Sequence, residues 1–339
     1  MKVVVGMARS GIAAARLLQR RGESVFVTDA GKPQAAAELD ALGIPWEAGK
    51  HTTTRFLKAD EIVVSPGVPL DIAPLQAARE KGVPVISELE LASRYLQGDV
   101  IGITGSNGKT TTTTLVGEIL KAAGRTVQVG GNIGTAMCGL VETSTPSTIN
   151  VIEVSSFQLD AIRTFRPHVA ALLNITPDHL DRYAGFTAYR SSKFRIFENQ
   201  RETDMAVLNR DDPHVFPPPE GLKAHPHYFS LTEGLAEGAF RFGGMLYLNG
   251  TAVMAGSDVR IRGEHNIENV LASMVITSKY KISSATLTGV ISEFRGVEHR
   301  IEFVASVRGV SFFNDSKATN VDSSIKAVAS FDQNLILIL

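Results

Sequence analysis

The chain carries one cysteine, Cys138, among its 339 residues, so no intramolecular disulfide framework can form and a reducing, cytoplasmic setting is expected. An excess of either charge is missing too: 34 Lys and Arg stand against 35 Asp and Glu, a net of −1 with a pI near 6.7. That balance excludes a nucleic-acid binder relying on a bulk positive field. No apolar run reaches the roughly 20 residues that a membrane span needs. The first residues, MKVVVGMARSG, enter a strand directly instead of forming a signal peptide. Neither a nucleic-acid nor a membrane partner is therefore expected. An internal repeat of fixed period is also lacking. What is there is an ordinary globular composition, 44% hydrophobic, at a length that suits about two or three domains.

The apolar pattern divides the chain into three α/β parts. Over 1–93, short β-branched runs (Lys2–Gly6, Val25–Thr28, Glu61–Val64, Val83–Ile86) alternate with helical stretches such as Gly11–Arg21. This predicts right-handed crossovers, a parallel sheet and a Rossmann-like domain. A central domain is expected over 94–294, with strands from Val100 and at Thr126–Val129, Asn150–Val154, Val169–Ile175 and Met205–Leu208. These are nearly unbroken apolar runs, as helices covering both faces of a parallel sheet require. The segment Pro213–Pro219 interrupts the pattern. Then Ala239–Phe242, Met245–Leu248 and Thr251–Met254, split by Gly-Gly and Asn-Gly, predict a small antiparallel meander beside the parallel sheet, and Glu264–Ser278 reads as a helix. Over 295–339 the pattern restarts with strands Ile301–Val304 and Val310–Asn314 about a turn at Gly309, a helix Asp322–Phe331 and a strand Leu335–Leu339. So short a piece cannot bury both of its faces, so it is expected to be the start of a truncated, Rossmann-like third domain.

The strongest motif is Gly102-Ile-Thr-Gly-Ser-Asn-Gly-Lys-Thr110, which follows an apolar strand and opens a helix predicted over Thr111–Ala123. Glycines let backbone N–H groups fold around phosphate oxygens, and a helix N-terminus adds partial positive charge. Gly105, Ser106, Asn107, Gly108 and Thr111 would form the cradle. Lys109 would reach the β- and γ-phosphates of ATP, and Thr110 would offer its hydroxyl to Mg²⁺. The spacing G-x-x-x-x-G-K-T is not strict, because Ile103 stands where the first glycine belongs and the glycine is displaced to Gly105.

A triphosphate site needs hard oxygen ligands. Glu153 ends the strand Asn150–Val154, expected beside the phosphate-loop strand; a solvated strand-end acid is the plain alternative. His179, in Asn174-Ile-Thr-Pro-Asp-His-Leu-Asp181, could bind metal or phosphate, although an exposed loop histidine is the commoner outcome. At the amino terminus, Gly6-Met-Ala-Arg-Ser-Gly11, with Asp29 ending the second strand, resembles the dinucleotide fingerprint G-x-G-x-x-G. Ala8 replaces the middle glycine and disfavours close approach of a pyrophosphate. Ser65-Pro66-Gly67 ends the third strand in another anion-friendly turn, and a uridine diphosphate could use the same edge. Asn314-Asp-Ser-Lys-Ala-Thr-Asn320 presents Asp315 and Lys317 at a strand's carboxyl end, or else is a capped turn with a solvated lysine. An NAD-dependent oxidoreductase and a nucleotide-binding switch stay open beside an ATP-using enzyme.

Taken together, GITGSNGKTTT (102–112), GGNIG (130–134), IEVSSFQL (152–159), NITPDHLDRY (174–183), EHNIENVLA (264–272), HRIE (299–302) and NDSKATN (314–320) resemble the Mur ligase family, in order and over nearly the whole chain. The Rossmann-like start and the NDSKATN segment fit the member that adds D-glutamate to UDP-N-acetylmuramoyl-L-alanine. The resemblance implies a monomeric, cytoplasmic, ATP-dependent amide ligase of peptidoglycan synthesis. In it the substrate carboxylate attacks the γ-phosphate of ATP, and the amine of D-glutamate displaces phosphate from the acyl phosphate formed. A carboxylate is a poor acyl donor until its oxygen becomes a phosphate leaving group, and the meeting of two anions requires Lys and Mg²⁺ charge.

Carried over position by position, the resemblance implies that Lys109 and Thr110 hold ATP and Mg²⁺, and that Glu153 and His179 ligate metal or its surroundings. It implies that Lys193 is carbamylated and bridges to a second Mg²⁺, where its own context reads only as a helix-surface cation. Asn266 would contact adenine, Arg300 the ribose or phosphates, and Asp315 and Lys317 the reacting groups. Asn132, Ser155 and His179 would meet the muramoyl substrate; Arg9, Ser10, Asp29, Ser65, Pro66 and Gly67 would surround the uridine diphosphate. Because Arg300 and Lys317 belong to a different domain from Lys109, closure of domains is expected in the cycle. The family's D-glutamate pocket draws on carboxy-terminal residues beyond these. The alternatives within this class are a truncated form that binds without turnover and another Mur or folylpolyglutamate-type ligase.

Overall fold

Strand-forming and helix-forming stretches alternate from the first residues, and the computed structural model, which describes residues 1–31, 35–331 and 335–338, gathers them into three sheets. The amino-terminal unit runs β1 (Lys2–Val5), α1 (Arg9–Arg20), β2 (Val25–Asp29), α2 (Ala36–Ala41), β3 (Trp46–Ala48), α3 (Thr53–Leu57), β4 (Glu61–Val64), α4 (Ala73–Glu80), β5 (Val85–Ser87) and α5 (Glu88–Ser93). Its sheet is parallel throughout, in the order β3-β2-β1-β4-β5. The chain moves outward from β1 to β3 and then returns to the far side of β1, so the carboxyl ends of β1 and β4 form a topological switch point. Ligands of open parallel sheets bind at such points. Val3, Val4, Val5 and Ile62 are fully buried, which is why these strands read as unbroken apolar runs.

The central unit runs β6 (Asp99–Thr104), α6 (Lys109–Ala122), β7 (Val127–Gly131), α7 (Met137–Leu140), β8 (Ile149–Glu153), α8 (Ser156–Leu159), β9 (Val169–Leu172), α9 (Phe186–Phe194) and β10 (Met205–Asn209). It continues through β11 (His225–Ser230), β12 (Ala239–Phe242), β13 (Met245–Leu248), β14 (Thr251–Ala255), α10 (Glu264–Ser278) and α11 (Ser284–Glu293). β6 lies between β8 and β9 in parallel register, with Ile103 opposite Glu153 and Thr104 opposite Leu172. The antiparallel meander does not stand beside this sheet but extends it. β11 pairs in parallel with both β10 and β12, joining all into one nine-stranded sheet. Its sequence, HPHYFS, buries only Phe229 and Ser230, so no alternation announces it.

The third part is a hairpin of β15 (Glu302–Val307) and β16 (Val310–Asn314), followed by α12 (Val321–Val328). Arg308 and Gly309 at its tip have φ of 51° and 82°, the left-handed pair that a two-residue type I′ turn demands. Of the strand expected at Leu335–Leu339, residues 335–338 are irregular and exposed, and Leu339 lies outside the described residues. Among the described residues β15 and β16 pair only with each other, so that run has no neighbour to complete its backbone hydrogen bonds.

Candidate functional site

The loop after β6 is shaped by one glycine above all. Gly108 has φ +81°, and a Cβ there would fall 2.2 Å from Asn269 Oδ1, so only glycine lets α10 come this close. The Lys109 side chain folds back over the loop, donating to the carbonyls of Gly105 at 2.9 Å and Ser106 at 2.7 Å. Burial pushes its pKa down, while the charge of Glu153 pulls the other way. Thr110 Oγ1 donates to Glu153 Oε2 and Asn132 Nδ2 to Glu153 Oε1, both at 2.8 Å. Glu153 is 1% exposed. Side by side, a helix N-terminus, a lysine and a bonded carboxylate–hydroxyl pair have the chemistry that could hold a polyphosphate and a hard divalent cation.

These groups open onto a cavity of about 570 Å³ whose far wall belongs to the third part of the chain. Arg300, Asp315, Lys317 and Lys326 line it from there, and Asn266 and His265 line it from α10. Asn266 Nδ2 donates to Arg262 O at 2.6 Å and its Oδ1 accepts from Asn269 Nδ2 at 3.1 Å, which fixes its amide. Burial works against the charge of Arg300, and Asp315 and Glu153 offset it. On either side of Arg300, His299 and Ile301 take left-handed φ of 65° and 45°. For a β-branched residue this is an outlier costing on the order of 1–3 kcal/mol, and such strain gathers at functional sites. Asp315 accepts from Ile301 N at 3.1 Å and holds the turn in place. The third part is also clasped to the loop itself. Asn107 Nδ2 donates to Asp322 at 2.7 Å, and Asn320 Nδ2 donates to Asp178 at 3.0 Å.

Lys193 is not a surface cation. It is 2% exposed, because α9 turns it beneath the phosphate loop, where Nζ donates to Gly105 O at 2.8 Å and lies 4.6 Å from the Tyr189 ring centre. Burial drives its pKa well below the usual lysine range, and the nearby Lys109 charge adds to the shift. His179 stands on the outside of this corner at φ 53°, half-exposed, with its ring 5.0 Å from that of Phe157. Ser155 caps α8, its hydroxyl exchanging bonds with Gln158. Among the described residues no three His, Cys, Asp or Glu side chains converge as a ready-made metal site. A cation here would rest on Thr110, Glu153 and the ligand's own oxygens.

The remaining candidates lie at the switch point of the amino-terminal sheet. Asp29 accepts from Met7 N at 2.6 Å and from Gly31 N at 2.7 Å, ordering the loop after β1. A Cβ on Gly11 would meet Gly6 O at 1.9 Å, so this glycine permits close packing of α1. Ser10, Pro66 and Gly67 border the same edge, where Ser65 Oγ is buried without a partner. Arg9 reaches out of this edge and donates to Asn132 O at 2.8 Å, linking the switch point to the phosphate cavity. Sequence reasoning passed over Asn269, although its spacing of three from Asn266 on one helix face was a usable signal. Tyr189, bonded to Ser106 Oγ at 3.0 Å, and Asp322 carried no local signal.

A family profile described as "Mur ligase MurD-like, N-terminal domain" matches residues 1–87, and "Mur ligase middle domain" matches residues 103–277. The chain is 44% identical over 345 residues to the UDP-N-acetylmuramoylalanine–D-glutamate ligase of Koribacter versatilis, and 46% over 337 residues to that of Solibacter usitatus. Each alignment covers 99% of this chain and 76% of the relative. Among solved structures, the UDP-N-acetylmuramate–alanine ligase MurC of Thermotoga maritima superposes with a TM-score of 0.61 at 21% identity, over 97% of this chain and 76% of that one, a likeness of fold.

Proposed function

This chain belongs to the Mur ligase family, and from that premise we propose how its residues carry out the ligation its relatives are named for. It is an ATP-dependent ligase that adds D-glutamate to UDP-N-acetylmuramoyl-L-alanine in peptidoglycan synthesis. The family assignment removes the oxidoreductase and switch readings. Residues 1–93 carry the uridine diphosphate end of the substrate, 94–294 bind ATP, and 295–339 supply the far wall. The observation that supports this division best is the single cavity on which Lys109, Thr110 and Glu153 converge with Arg300 and Lys317.

ATP lies along the loop from Gly105 to Thr111, with Lys109 on its terminal phosphates and Asn266 at its base. Arg300 meets the ribose or phosphates. Arg9, Ser10, Asp29 and the Ser65–Gly67 turn surround the uridine diphosphate, and Asn132, Ser155 and His179 meet the muramoyl part. The substrate carboxylate attacks the γ-phosphorus, the P–O bond to ADP breaks, and an acyl phosphate forms. The amine of D-glutamate attacks its carbonyl carbon, loses a proton, and phosphate departs with the C–O bonding pair. Lys109, Lys317 and Arg300 offset the anionic charge that both steps gather, and Asp315 keeps Arg300 in place.

The oxygen donors of Thr110 and Glu153 suit Mg²⁺, which when bound lowers the repulsion between the two anions. The neutral amine favoured at Lys193 suits attack on carbon dioxide with loss of one proton; the carbamate would offer oxygens to a second Mg²⁺, with His179 nearby. The chain acts as a monomer in the cytoplasm; among the described residues no helix is long and apolar enough to cross a membrane. Phosphate release from ATP tests the reading. It should require UDP-N-acetylmuramoyl-L-alanine and D-glutamate together. Release independent of either, or none from folded protein that binds ATP, would contradict it.

A further inference from the structure

Two carboxylates stand two residues apart at the head of α5, between the amino-terminal and central units, and their surroundings differ. Glu90 is fully buried and fully bonded. Its Oε2 accepts from the backbone N–H groups of Arg163, Thr164 and Phe165, each at 2.9 Å, and its Oε1 accepts the Thr164 hydroxyl at 2.6 Å. Burial alone would raise its pKa, but these bonds outweigh it and hold the carboxyl below the usual range. Glu88, 1% exposed, accepts a single backbone N–H, that of Cys138, at 2.6 Å. Its other oxygen is buried without a partner. Here burial wins and the pKa rises, with the Arg9 charge opposing.

An under-partnered buried carboxyl is unfavourable, and a joint that needed only a staple would be better served by a second Glu90 or by an apolar side chain. Such a group therefore calls for an explanation, and its neighbours supply one. Cys138 is the second residue of α7, whose own N-cap, Ala136, provides no side-chain acceptor. Glu88 thus caps, from the other unit, a helix whose start is otherwise bare. That helix begins five residues after Asn132, and Thr135 between them bridges back to Gly130. The carbonyl of Asn132 in that turn accepts from Arg9 at 2.8 Å. The turn on which Arg9 rests is therefore tethered through α7 to Glu88.

We propose that Glu88 is a positioning residue for the UDP-linked substrate: through Cys138 and α7 it holds the Asn132 turn, which accepts from Arg9, in register across the joint where that substrate passes from one unit to the other. This rests on the functional reading above, in which Arg9 and Asn132 touch the substrate. Glu88 itself touches neither substrate.

Calorimetric titration of the full chain with UDP-N-acetylmuramoyl-L-alanine and, separately, with a non-hydrolysable ATP analogue tests it, with melting temperatures recorded alongside. Glu88→Ala should weaken the UDP-linked substrate about tenfold or more and the nucleotide less than about twofold. Glu88→Gln, which keeps an acceptor for Cys138 N–H, should stay within about threefold of the parent for both. Glu88→Asp retrieves the test if the alanine variant does not fold: one methylene short, it should weaken the UDP-linked substrate severalfold with nucleotide binding kept. A lower melting temperature with both affinities unchanged, or an equal loss of both, would overturn the proposal. A parent protein that binds the nucleotide but not the UDP-linked substrate would instead sink the functional reading on which it stands.

Discussion

The two joints of this molecule are built from different materials. Between the amino-terminal and central units the core is continuous: Val4, Val27 and Leu89 belong to the same buried cluster as Met137, Ile152 and Leu172. Glu90 adds a saturated polar staple, and Ser87 N donates to Ala161 O at 2.9 Å. Between the central unit and the third part, by contrast, no residue from 301 to 331 is buried. Contact there includes Asn107 and Thr176 with Asp322, Asn320 with Asp178 and Asn107, and Arg262 lying 5.5 Å and 5.7 Å from the Phe313 and Phe331 ring centres. Apolar burial at roughly 25 cal/mol per Å² has no substitute in water, whereas polar surface pairs exchange readily with solvent. The difference assigns roles. On the function proposed above, the joint spanned by the UDP-linked substrate is expected to stay fixed, and the joint that brings Arg300 and Lys317 to ATP is expected to open.

Breaking the first joint should cost most. Glu90→Ala strands three backbone donors and should lower stability by about 3 kcal/mol or more, read by denaturant titration; a loss below about 1 kcal/mol would mean the staple is dispensable. The same group sets a pH signature. Its pKa is lower folded than unfolded, so its contribution is complete above the unfolded carboxylate value and fades as pH falls through the folded one. The stability gap between the parent and Glu90→Gln should therefore be full near neutrality and close in acid; a gap that widens in acid would refute the assignment. At the second joint, Asp322→Ala should weaken ATP about tenfold with little change in melting temperature, and Asp322→Asn, which keeps an acceptor for Asn107, should recover most of it. Phe313→Ala, which removes half of the Arg262 cradle, should weaken ATP about two- to fivefold. Smallest of all, Arg20→Ala, which breaks the exposed ion pair with Glu142, should change stability by about 0.5 kcal/mol or less. A large effect there would blur the contrast between dry and wet joints.

What could be read in the sequence was local. The glycine-rich loop between β6 and α6, the strand ending at Glu153 and the hairpin about Gly309 each depend on residues within a dozen positions, and each element appears where its pattern placed it. β11 escaped because its pairing comes from neighbours in the sheet and not from its own alternation. Lys193 read as solvated because helix periodicity does not tell which face a loop from residue 105 will cover. Glu88 and Glu90 stand two residues apart with nothing local to tell them apart; their opposite surroundings come from Cys138 and residues 163–165, in a unit not yet begun at that point of the chain. The clasp of Asn107 on Asp322 spans 215 residues and has no local trace.

Distance distributions by pulsed electron resonance between introduced labels test the central contrast most directly. The sole native cysteine, Cys138, is buried, so labels report from the exposed positions chosen: Ser24→Cys with Thr203→Cys across the first joint, and Thr203→Cys with Arg308→Cys across the second. With ATP analogue and UDP-N-acetylmuramoyl-L-alanine added, the first distribution should stay unchanged while the second narrows and shifts. Movement of the first by as much as the second, or no change in either, would contradict the account.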